Sequence, residues 1–488
     1  MFKRVLIPIL VPVCLAGQSL QDNRIKDKLD SLLIALADHQ RFNGSVLVSE
    51  NGQIVYERSQ GYLDIARHIP NSDTTHFNLA SLSKPFTSIA VLQLVQAEKV
   101  ALDSPCIRYL PDFPYTGVTV RQLLNHTSGL PPLERFEDGY IHDHPDEVIS
   151  GQSVYNRLVA LKKPLSYAPG DRWGYNNFNY LVLALLVQKV SGMPFADYMR
   201  THVFIPAGMR ETYIRQPDQP NTVRYTRPNM YSTAWLNVDS LDHHQYYTNY
   251  NLGGIEGPNN VVSTLRDLWR FDNALRAGKL LSRALMDSAF KPLVLNDGTV
   301  YHAPGSTRSY GLGWNTYNNK TAPFTRFVFH DGHIVGLMTF LHHNLDQDQT
   351  IVYYNNMDDP PLLTMVSISN ILNGLPPVKI PLTKSLARIY GETMVLKGVD
   401  AAAAAFNELK DDTLHYYVDE LEINRLGYDL LATPMQRYAL EAFKLNTLLF
   451  PKSANVYDSY ADALDRNGYK EEAEAMRRKS MSGDKKGQ

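Results

Sequence analysis

Ser81 and Lys84 lie three residues apart in the segment Ser81-Leu82-Ser83-Lys84. On a helix this spacing puts both side chains on one face, so the lysine amine can reach the serine hydroxyl. A lysine buried there can take the proton of the hydroxyl and make its oxygen a nucleophile. The pattern alone is not specific, because it also occurs at Ser288–Lys291 and at Ser482–Lys485.

Further chemistry-bearing segments follow downstream in a fixed order. A leucine-rich stretch ends in His-Thr-Ser-Gly, a Pro-Gly turn leads into Tyr-Asn-Asn, and a Tyr-Gly-Leu-Gly-Trp segment precedes His-Asp-Gly-His. With the Ser-x-x-Lys segment, this order resembles the penicillin-recognising serine hydrolase family, in its branch of class C β-lactamases, D,D-peptidases and esterases. The resemblance extends over about residues 30–356 and depends on the segments His126–Gly129, Tyr175–Asn177, Tyr310–Trp314 and His330–His333.

The resemblance implies a catalytic set of three side chains. Ser81 would attack a carbonyl group to form an acyl-enzyme, and Lys84 and Tyr175 would handle its proton. A phenol has a pKa of about 10, so Tyr175 needs a cationic neighbour to ionise near neutral pH. No metal ion and no cofactor are expected.

The resemblance also implies a substrate-binding set. Asn177 would hold Lys84 and the substrate amide by hydrogen bonds. The oxyanion would lie between the backbone N–H groups of Ser81 and His333, with Gly332 on the same strand. His330 stands where relatives often have lysine and offers a weaker, pH-dependent positive charge. This departure argues against efficient β-lactam hydrolysis.

Competing interpretations exist for several of these residues. His330 and His333 could be metal ligands, but two ligands do not make a site. Tyr175 could be a packed aromatic residue before a helix. His126 is interpreted as a structural loop residue rather than a base, and Ser128 as a turn former.

Composition narrows the class of protein. The chain has 488 residues, of which 44% are hydrophobic and 20% charged, so a disordered chain is excluded. The 48 basic and 50 acidic residues leave no excess positive charge for a nucleic-acid backbone. Two cysteines exclude a disulfide scaffold. The expected ligand is a small molecule or short peptide.

The elements that must position the candidate site form an α+β pattern. Strand-like runs occur near both ends of the region, and helical patterns lie between them. We therefore predict one antiparallel sheet, closed by N- and C-terminal strands and packed with a helical lobe, as in β-lactamases and transpeptidases. The predicted strands are 45–48, 54–56, 326–330, 336–343 and 350–354, and a helix is predicted from Ser81 to about Val100.

A stretch rich in tyrosine and asparagine, 222–254, has no periodicity and is predicted to be a long loop or lid. Its tyrosines over 222–250 could line the substrate cleft, because each offers a large face and a polar tip. A surface loop with incidental tyrosines explains the same composition equally well.

The predicted domain organisation has four parts. A basic start and a short apolar run predict a signal peptide over 1–17, cleaved near residues 16–17, and hence a periplasmic or secreted protein without a stable membrane span. A lipoprotein anchor at Cys14 is disfavoured because Pro12 and Val13 precede it. The hydrolase domain is predicted over 23–374, a proline-rich linker over 375–384 and a helical region over 385–488.

The helical region has residues at the spacing of a TPR repeat, whose period is about 34 residues. They are Leu426, Gly427, Ala439, Phe443 and Pro451. A shift by one period gives a weaker copy, and 385–410 is a degenerate earlier one. An ordinary helical tail is the alternative. The shifted residues are Tyr460, Ala461, Ala473 and Arg477.

Two functional hypotheses follow. The first is an exported serine hydrolase that acts on a small ester or amide, including peptides with a D-residue. The second is a catalytically idle scaffold whose TPR-like region binds an envelope partner. The intact Ser81, Lys84, Tyr175 and Asn177 favour the first, in which the helical region packs on the enzyme, binds a partner or mediates self-association.

Overall fold

The computed structural model describes residues 13–39, 41–64, 67–132, 149–216, 224, 254–318, 326–334, 336–357, 361–380, 382–431 and 435–483. Except for Arg224 and Gly254, the loop predicted over 222–254 lies outside these residues, as does the predicted signal peptide up to residue 12. The helix that begins at Val13 extends to Asp38.

A seven-stranded antiparallel sheet organises the larger part of the chain. β1 pairs with β12, so the N-terminal and C-terminal strands are neighbours and the predicted fold class is confirmed. Numbered along the chain, the strands in order across the sheet are β2 (Gln53–Gln60), β1 (Gly44–Glu50), β12 (Gln349–Asn355), β11 (Leu337–Asn344), β10 (Arg326–Ile334), β9 (Asn315–Asn318) and β8 (Arg308–Tyr310).

The hairpin between β1 and β2 follows from its turn residues. Asn51 and Gly52 have φ angles of 49° and 75°. Positive φ at both central positions defines the tight turn whose twist matches the flanking strands, and Asn-Gly is its preferred sequence. The Asn51–Gly52 turn therefore joins the predicted strands 45–48 and 54–56 in a hairpin.

Side chains alternate along the strands, so apolar residues pack on both faces of the sheet. Val46 and Val48 face helix α1 (Val13–Asp38) and helix α10 (Leu362–Leu372), whereas Leu47 faces the larger core. Because successive side chains of a strand point to opposite faces, one short apolar run supplies two layers.

The larger core is built around two helices that are buried on nearly all sides, α2 (Lys84–Gln96) and α5 (Asn177–Ser191). A helix that is apolar all round belongs in a protein interior. The other helices of this lobe are α3 (Val120–Leu124), α4 (Gly151–Leu161), α6 (Phe195–Tyr198), α7 (Ile205–Ala207), α8 (Leu265–Arg276) and α9 (Arg283–Ala289).

Short strands complete the lobe. β5 (Phe77–Asn78) leads directly towards α2 and pairs with β7 (Val261–Ser263), which also pairs with β6 (Tyr213–Ile214). β3 (Tyr62–Asp64) and β4 (Ile69–Pro70) form a separate pair. The β5–β7 pairing fixes the chain immediately before Ser81.

The C-terminal region is helical, as predicted. Three antiparallel helix pairs follow one another, and the first helix of each pair begins at equal intervals, at Leu386, Glu420 and Ala454. The helices are α11 (Leu386–Lys397), α12 (Val399–Leu409), α13 (Glu420–Leu431), α14 (Gln436–Leu449), α15 (Ala454–Arg466) and α16 (Lys470–Gly483); β13 (Lys384–Ser385) pairs with β14 (Tyr416–Tyr417) beside them.

Small residues allow these helices to approach closely. A Cβ on Gly427 would lie 2.5 Å from the Phe443 ring, and one on Gly391 would lie 2.5 Å from Leu426. Ala439 and Ala473 are fully buried in the second helices of their pairs. Four residues of the predicted repeat, Gly427, Ala439, Phe443 and Ala473, therefore lie where helices pack.

Among the described residues, no single helix is long and apolar enough to cross a membrane. Two consecutive helical stretches, Asn177–Ser191 and Phe195–Ala207, reach the length and composition of a membrane span when taken together. The angle between them is 76°.

Candidate active site

Ser81 lies in a tight turn, Ala80–Ser83, that precedes α2. Ala80 has a φ of 46°, a left-handed conformation that is uncommon for a residue with a Cβ. The Asn78 side chain supports the turn, because its Oδ1 accepts a hydrogen bond from Ala80 N at 2.7 Å. Ser83 Oγ accepts another from Val261 N at 3.2 Å. The sheet β5–β7 thus holds the turn that presents Ser81.

Lys84 is fully buried in the first turn of α2. Its Nζ donates to Ser81 Oγ at 2.9 Å and to the carbonyl of Pro258 at 3.3 Å. The Nζ atom also lies 4.8 Å from the centre of the Tyr175 ring. The amine is therefore held against the serine by contacts from three separate segments.

Tyr175 joins this pair from the segment before α5. Although 43% of the residue is accessible, its ring lies beside the buried amine, with Lys84 Nζ 4.8 Å from the ring centre. Burial raises the pKa of Tyr175 well above its usual value, the interaction with Ser81 opposes this rise, and the negative charge of Asp331 adds to it. The structure thus brings together the three side chains predicted to be catalytic.

His330 is buried on β10. Its Nδ1 is 2.7 Å from the backbone carbonyl of Asp331 and its Nε2 is 3.0 Å from the Tyr310 hydroxyl. A carbonyl only accepts, so Nδ1 carries the proton and Nε2 accepts from Tyr310. Burial is the largest cause that lowers the pKa of His330 to about 4, and the charges of Lys84 and Arg308 act in the same direction. His330 is therefore neutral at neutral pH.

Gly332 explains how β10 reaches the serine turn. A Cβ at this position would lie 1.9 Å from the carbonyl oxygen of Leu79 and 2.4 Å from Thr339 Oγ1. Thr339 Oγ1 in turn donates to the Leu79 carbonyl at 2.9 Å. The missing side chain lets the strand pack directly against the backbone that leads into Ser81.

His333 and Asn177 lie at the edges of this cluster. The His333 side chain is exposed, and its pKa is lowered first by partial burial of the ring and second by the positive charge of Arg425 on α13. Asn177 Oδ1 is buried and has no hydrogen-bond partner among the described residues, so the expected bond from Lys84 to this oxygen is not made.

Sequence reasoning did not assign roles to Tyr310 or Pro258. Tyr310 is fully buried and contacts His330, and its ring centre lies 5.0 Å from that of His126. The Tyr-Gly-Leu-Gly-Trp segment was visible in the sequence, whereas the carbonyl of Pro258 carries no signal in residue type.

Among the described residues, no group of three or more His, Cys, Asp or Glu side chains could hold a metal ion. His330 is engaged by Asp331 and Tyr310, so its two ring nitrogens are already used within the chain.

Comparisons with known proteins agree with this arrangement. The profile of the Beta-lactamase family matches residues 23–365. Penicillin-binding protein 4* of Bacillus subtilis is 34% identical over 336 residues, which cover 68% of this chain and 72% of that protein. Esterase EstB of Burkholderia gladioli is 34% identical over 206 residues, which cover 40% of this chain and 52% of the esterase.

A solved structure supports the same relationship. The crystal structure of a penicillin binding protein from Bacillus halodurans superposes with a TM-score of 0.58 and 26% sequence identity, covering 69% of this chain and 97% of that one. The resemblance inferred from the motifs is confirmed: the chain belongs to the β-lactamase family of serine hydrolases, which includes penicillin-binding proteins and esterases.

Proposed function

We propose that this protein is an exported serine hydrolase that cleaves small esters or amides, including peptides with a D-residue, through an acyl-enzyme on Ser81. The observation that carries the proposal is the convergence of three side chains: Lys84 Nζ donates to Ser81 Oγ at 2.9 Å and lies 4.8 Å from the centre of the Tyr175 ring. A nucleophile within reach of its base is the arrangement that covalent catalysis requires.

In acylation, Ser81 Oγ attacks the substrate carbonyl carbon and its proton passes to the Lys84–Tyr175 pair. The backbone N–H groups of Ser81 and His333 would stabilise the oxyanion. When the intermediate collapses, the bond to the alcohol or amine breaks and the leaving group takes the proton from the pair. Deacylation repeats these steps with water as the nucleophile, which releases the acid product and returns a proton to Ser81 Oγ.

The neutral state of His330 bears on substrate choice. Because its pKa is about 4, His330 supplies no positive charge at neutral pH. We therefore expect ester and amide substrates to be favoured over β-lactams that depend on a cation at this place. Esterase EstB, an esterase by name, is one of the similar proteins.

The test is a substrate panel of p-nitrophenyl esters, D-amino-acid amides and nitrocefin, run with the wild type and with Ser81→Ala. We expect hydrolysis of one or more esters or amides and its loss in Ser81→Ala. The matched control is Ser288→Ala, which removes the serine of another Ser-x-x-Lys segment and should leave the rates unchanged. Full hydrolysis by Ser81→Ala would overturn the proposal.

Export and domain organisation are part of the same proposal. We place the signal peptide at 1–17, the hydrolase domain at 23–374, the linker at 375–384 and the TPR-like region at 385–488. N-terminal sequencing of the protein recovered from the periplasm or medium of an expressing bacterium tests export: a mature chain beginning near residue 17 supports it, and an intact Met1 contradicts it.

For the helical region, we propose that it packs on the enzyme and provides a surface for a protein partner or a second copy. The charge of Arg425, which acts on the His333 ring, supports packing beside β10. Exposed leucines on this region, Leu396, Leu421 and Leu448, support an association surface. Sedimentation of the full chain with and without Leu421→Glu tests self-association: a shift towards a slower species supports it.

A further inference from the structure

His126 lies behind the candidate catalytic tyrosine and has no role in the steps above. It is fully buried, and its backbone is left-handed, with a φ of 61°. Such a conformation is uncommon for a residue with a Cβ and costs free energy that the surroundings must offset. The hydrogen bonds that His126 makes explain its left-handed backbone.

Both backbone amides that flank Tyr175 donate to His126. Gly174 N donates to the His126 carbonyl at 2.9 Å, and Asn176 N donates to its Nδ1 at 3.2 Å. The left-handed backbone allows the carbonyl and the ring to engage the same short segment. His126 thus holds the chain on both sides of the tyrosine.

The protonation state of His126 follows from these partners. A backbone N–H can only donate, so Nδ1 must accept and the ring proton lies on Nε2. Asn179 contributes a second donor, because its Nδ2 is 3.1 Å from Nδ1 while its Oδ1 accepts from Ser128 Oγ at 2.6 Å. A proton on Nδ1 would break both bonds, so the imidazole stays neutral.

The remaining N–H of the ring, at Nε2, is buried and has no hydrogen-bond partner among the described residues. The imidazole lies among tyrosine rings, with centroid distances of 4.5 Å to Tyr175, 5.2 Å to Tyr180 and 5.0 Å to Tyr310. A buried donor without a partner is costly, and an aromatic face is the acceptor that such a cluster offers.

We propose that His126 is a positioning residue for Tyr175: it clamps the flanking backbone and directs a neutral N–H into the ring cluster that includes the tyrosine. This inference rests on the proposed function. When Tyr175 gives up its proton, negative charge spreads into its ring, and a nearby N–H stabilises that form more than the neutral one. A neutral imidazole does so without adding a cation that would compete with Lys84.

Other groups also act on the Tyr175 hydroxyl and set the background for its ionisation. Ser81 acts on its pKa from the turn before α2, Lys84 Nζ lies 4.8 Å from the centre of the Tyr175 ring, and Asp331 raises its pKa from β10. The His126 ring contacts the rings of Tyr175, Tyr180 and Tyr310, and Tyr310 in turn bonds with His330. Because Lys84 and Tyr175 interact, a pH profile reports the pair as a unit.

The test replaces His126 with 4-thiazolylalanine, which keeps an acceptor nitrogen at the Nδ1 position and puts sulfur in place of Nε2–H. We expect kcat to fall about fivefold, the scale of one weak N–H contact, with KM within about twofold of the wild type. The limb of the profile on which activity rises with pH should move to higher pH, because the ionised tyrosine loses a stabilising contact.

A second variant tests the clamp. His126→Asn tolerates the left-handed backbone and keeps an acceptor, but it removes the ring from the tyrosine cluster. We expect about a 100-fold loss of kcat, as misplacement of a reacting group causes, while an acylating probe still labels Ser81. Rates of both variants within twofold of the wild type, with unchanged pH profiles, would overturn the proposal.

A measurement on the unaltered protein completes the test. Nitrogen NMR of the labelled wild type should give a pyridine-type shift for Nδ1 and a pyrrole-type shift for Nε2 of His126 from pH 5 to 9. The opposite tautomer, or a protonated ring within this range, would contradict the proposal. Failure of the proposed function itself is distinguished by Ser81→Ala: if that variant still hydrolyses substrate, the nucleophile is wrong whatever His126 does.

Discussion

Two Ser-x-x-Lys segments of this chain have the same pattern and different surroundings. In the first, Lys84 is fully buried and its Nζ lies 2.9 Å from Ser81 Oγ. In the second, Ser288 lies near the end of the short helix α9, and Lys291 is exposed beyond it. The hydrogen bond between Ser288 and Lys291 joins backbone groups: Lys291 N donates to the Ser288 carbonyl at 3.3 Å.

The difference shows what the pattern needs in order to do chemistry. The first segment stands at the head of a helix that the core surrounds, with β10 packed against the backbone before it. Burial removes water from the amine and directs it to the hydroxyl. At an exposed helix end, the lysine amine stays in water and is not held against the serine hydroxyl.

Replacement of Lys84 should change the acylation rate more than any other substitution considered below, and replacement of Lys291 should not change it. Lys84→Met keeps the length and the buried volume of the side chain but removes the amine. Because the serine loses its proton acceptor, we expect the rate of Ser81 acylation to fall about 1,000-fold. Stopped-flow release of p-nitrophenol from an activated ester measures this rate.

Lys291→Met is the matched control and should acylate at the wild-type rate, because Lys291 is exposed beyond the end of α9. If the two variants acylate equally fast, the burial of Lys84 beside Ser81 does not promote acylation.

The next effect concerns the packing of β10 on the serine turn. In Gly332→Ala, the added methyl would meet the Leu79 carbonyl at 1.9 Å, so strand and turn must separate. We expect the free energy of unfolding to fall by about 2 kcal/mol, the scale of overpacking, with a loss of acylation as well. Urea unfolding measures the first quantity.

Gly117→Ala serves as the control, because a Cβ there meets nothing within 4 Å. A Gly332→Ala variant as stable and as fast as Gly117→Ala would show that the close approach of β10 is not needed.

The sequence was sufficient for the broad fold and for the three side chains that the structure brings together at Ser81. Strand patterns at both ends of the region predicted the antiparallel sheet, and the order of motifs predicted which serine, lysine and tyrosine meet. The contacts that support these side chains could not be predicted from the sequence. The Pro258 carbonyl, the Tyr310–His330 bond and the clamp formed by His126 depend on tertiary geometry, which residue type alone does not encode.

A smaller effect concerns pH. The pKa of His330 is lowered to about 4 in the folded chain, against about 6.5 unfolded, so the neutral form is favoured by folding. Its contribution to stability is complete above pH 6.5 and is lost as the pH falls towards 4, because only the unfolded chain then takes up the proton.

We therefore expect His330→Gln to lose less stability than the wild type between pH 7 and pH 4, as measured by urea unfolding at each pH. His302→Gln, beside the second Ser-x-x-Lys segment, should follow the wild type because its side chain is exposed. Parallel curves for the wild type and His330→Gln would contradict the assignment of a buried neutral histidine.

The smallest expected effect links the helical region to the site. Arg425 lowers the pKa of His333, so Arg425→Gln should raise the pKa of that ring towards its ordinary value. Titration of the His333 ring protons by NMR measures the change. An unchanged titration would place α13 too far from β10 for the helical region to influence the site.

In the proposed mechanism Ser81, rather than any other serine, becomes acylated. Incubation with a slowly deacylating ester, followed by proteolysis and mass spectrometry, locates the adduct directly. We predict one acyl group per chain on the peptide that contains Ser81, and none on the peptide that contains Ser288. An adduct on another residue, or stoichiometric acylation of Ser81→Ala, would contradict the account.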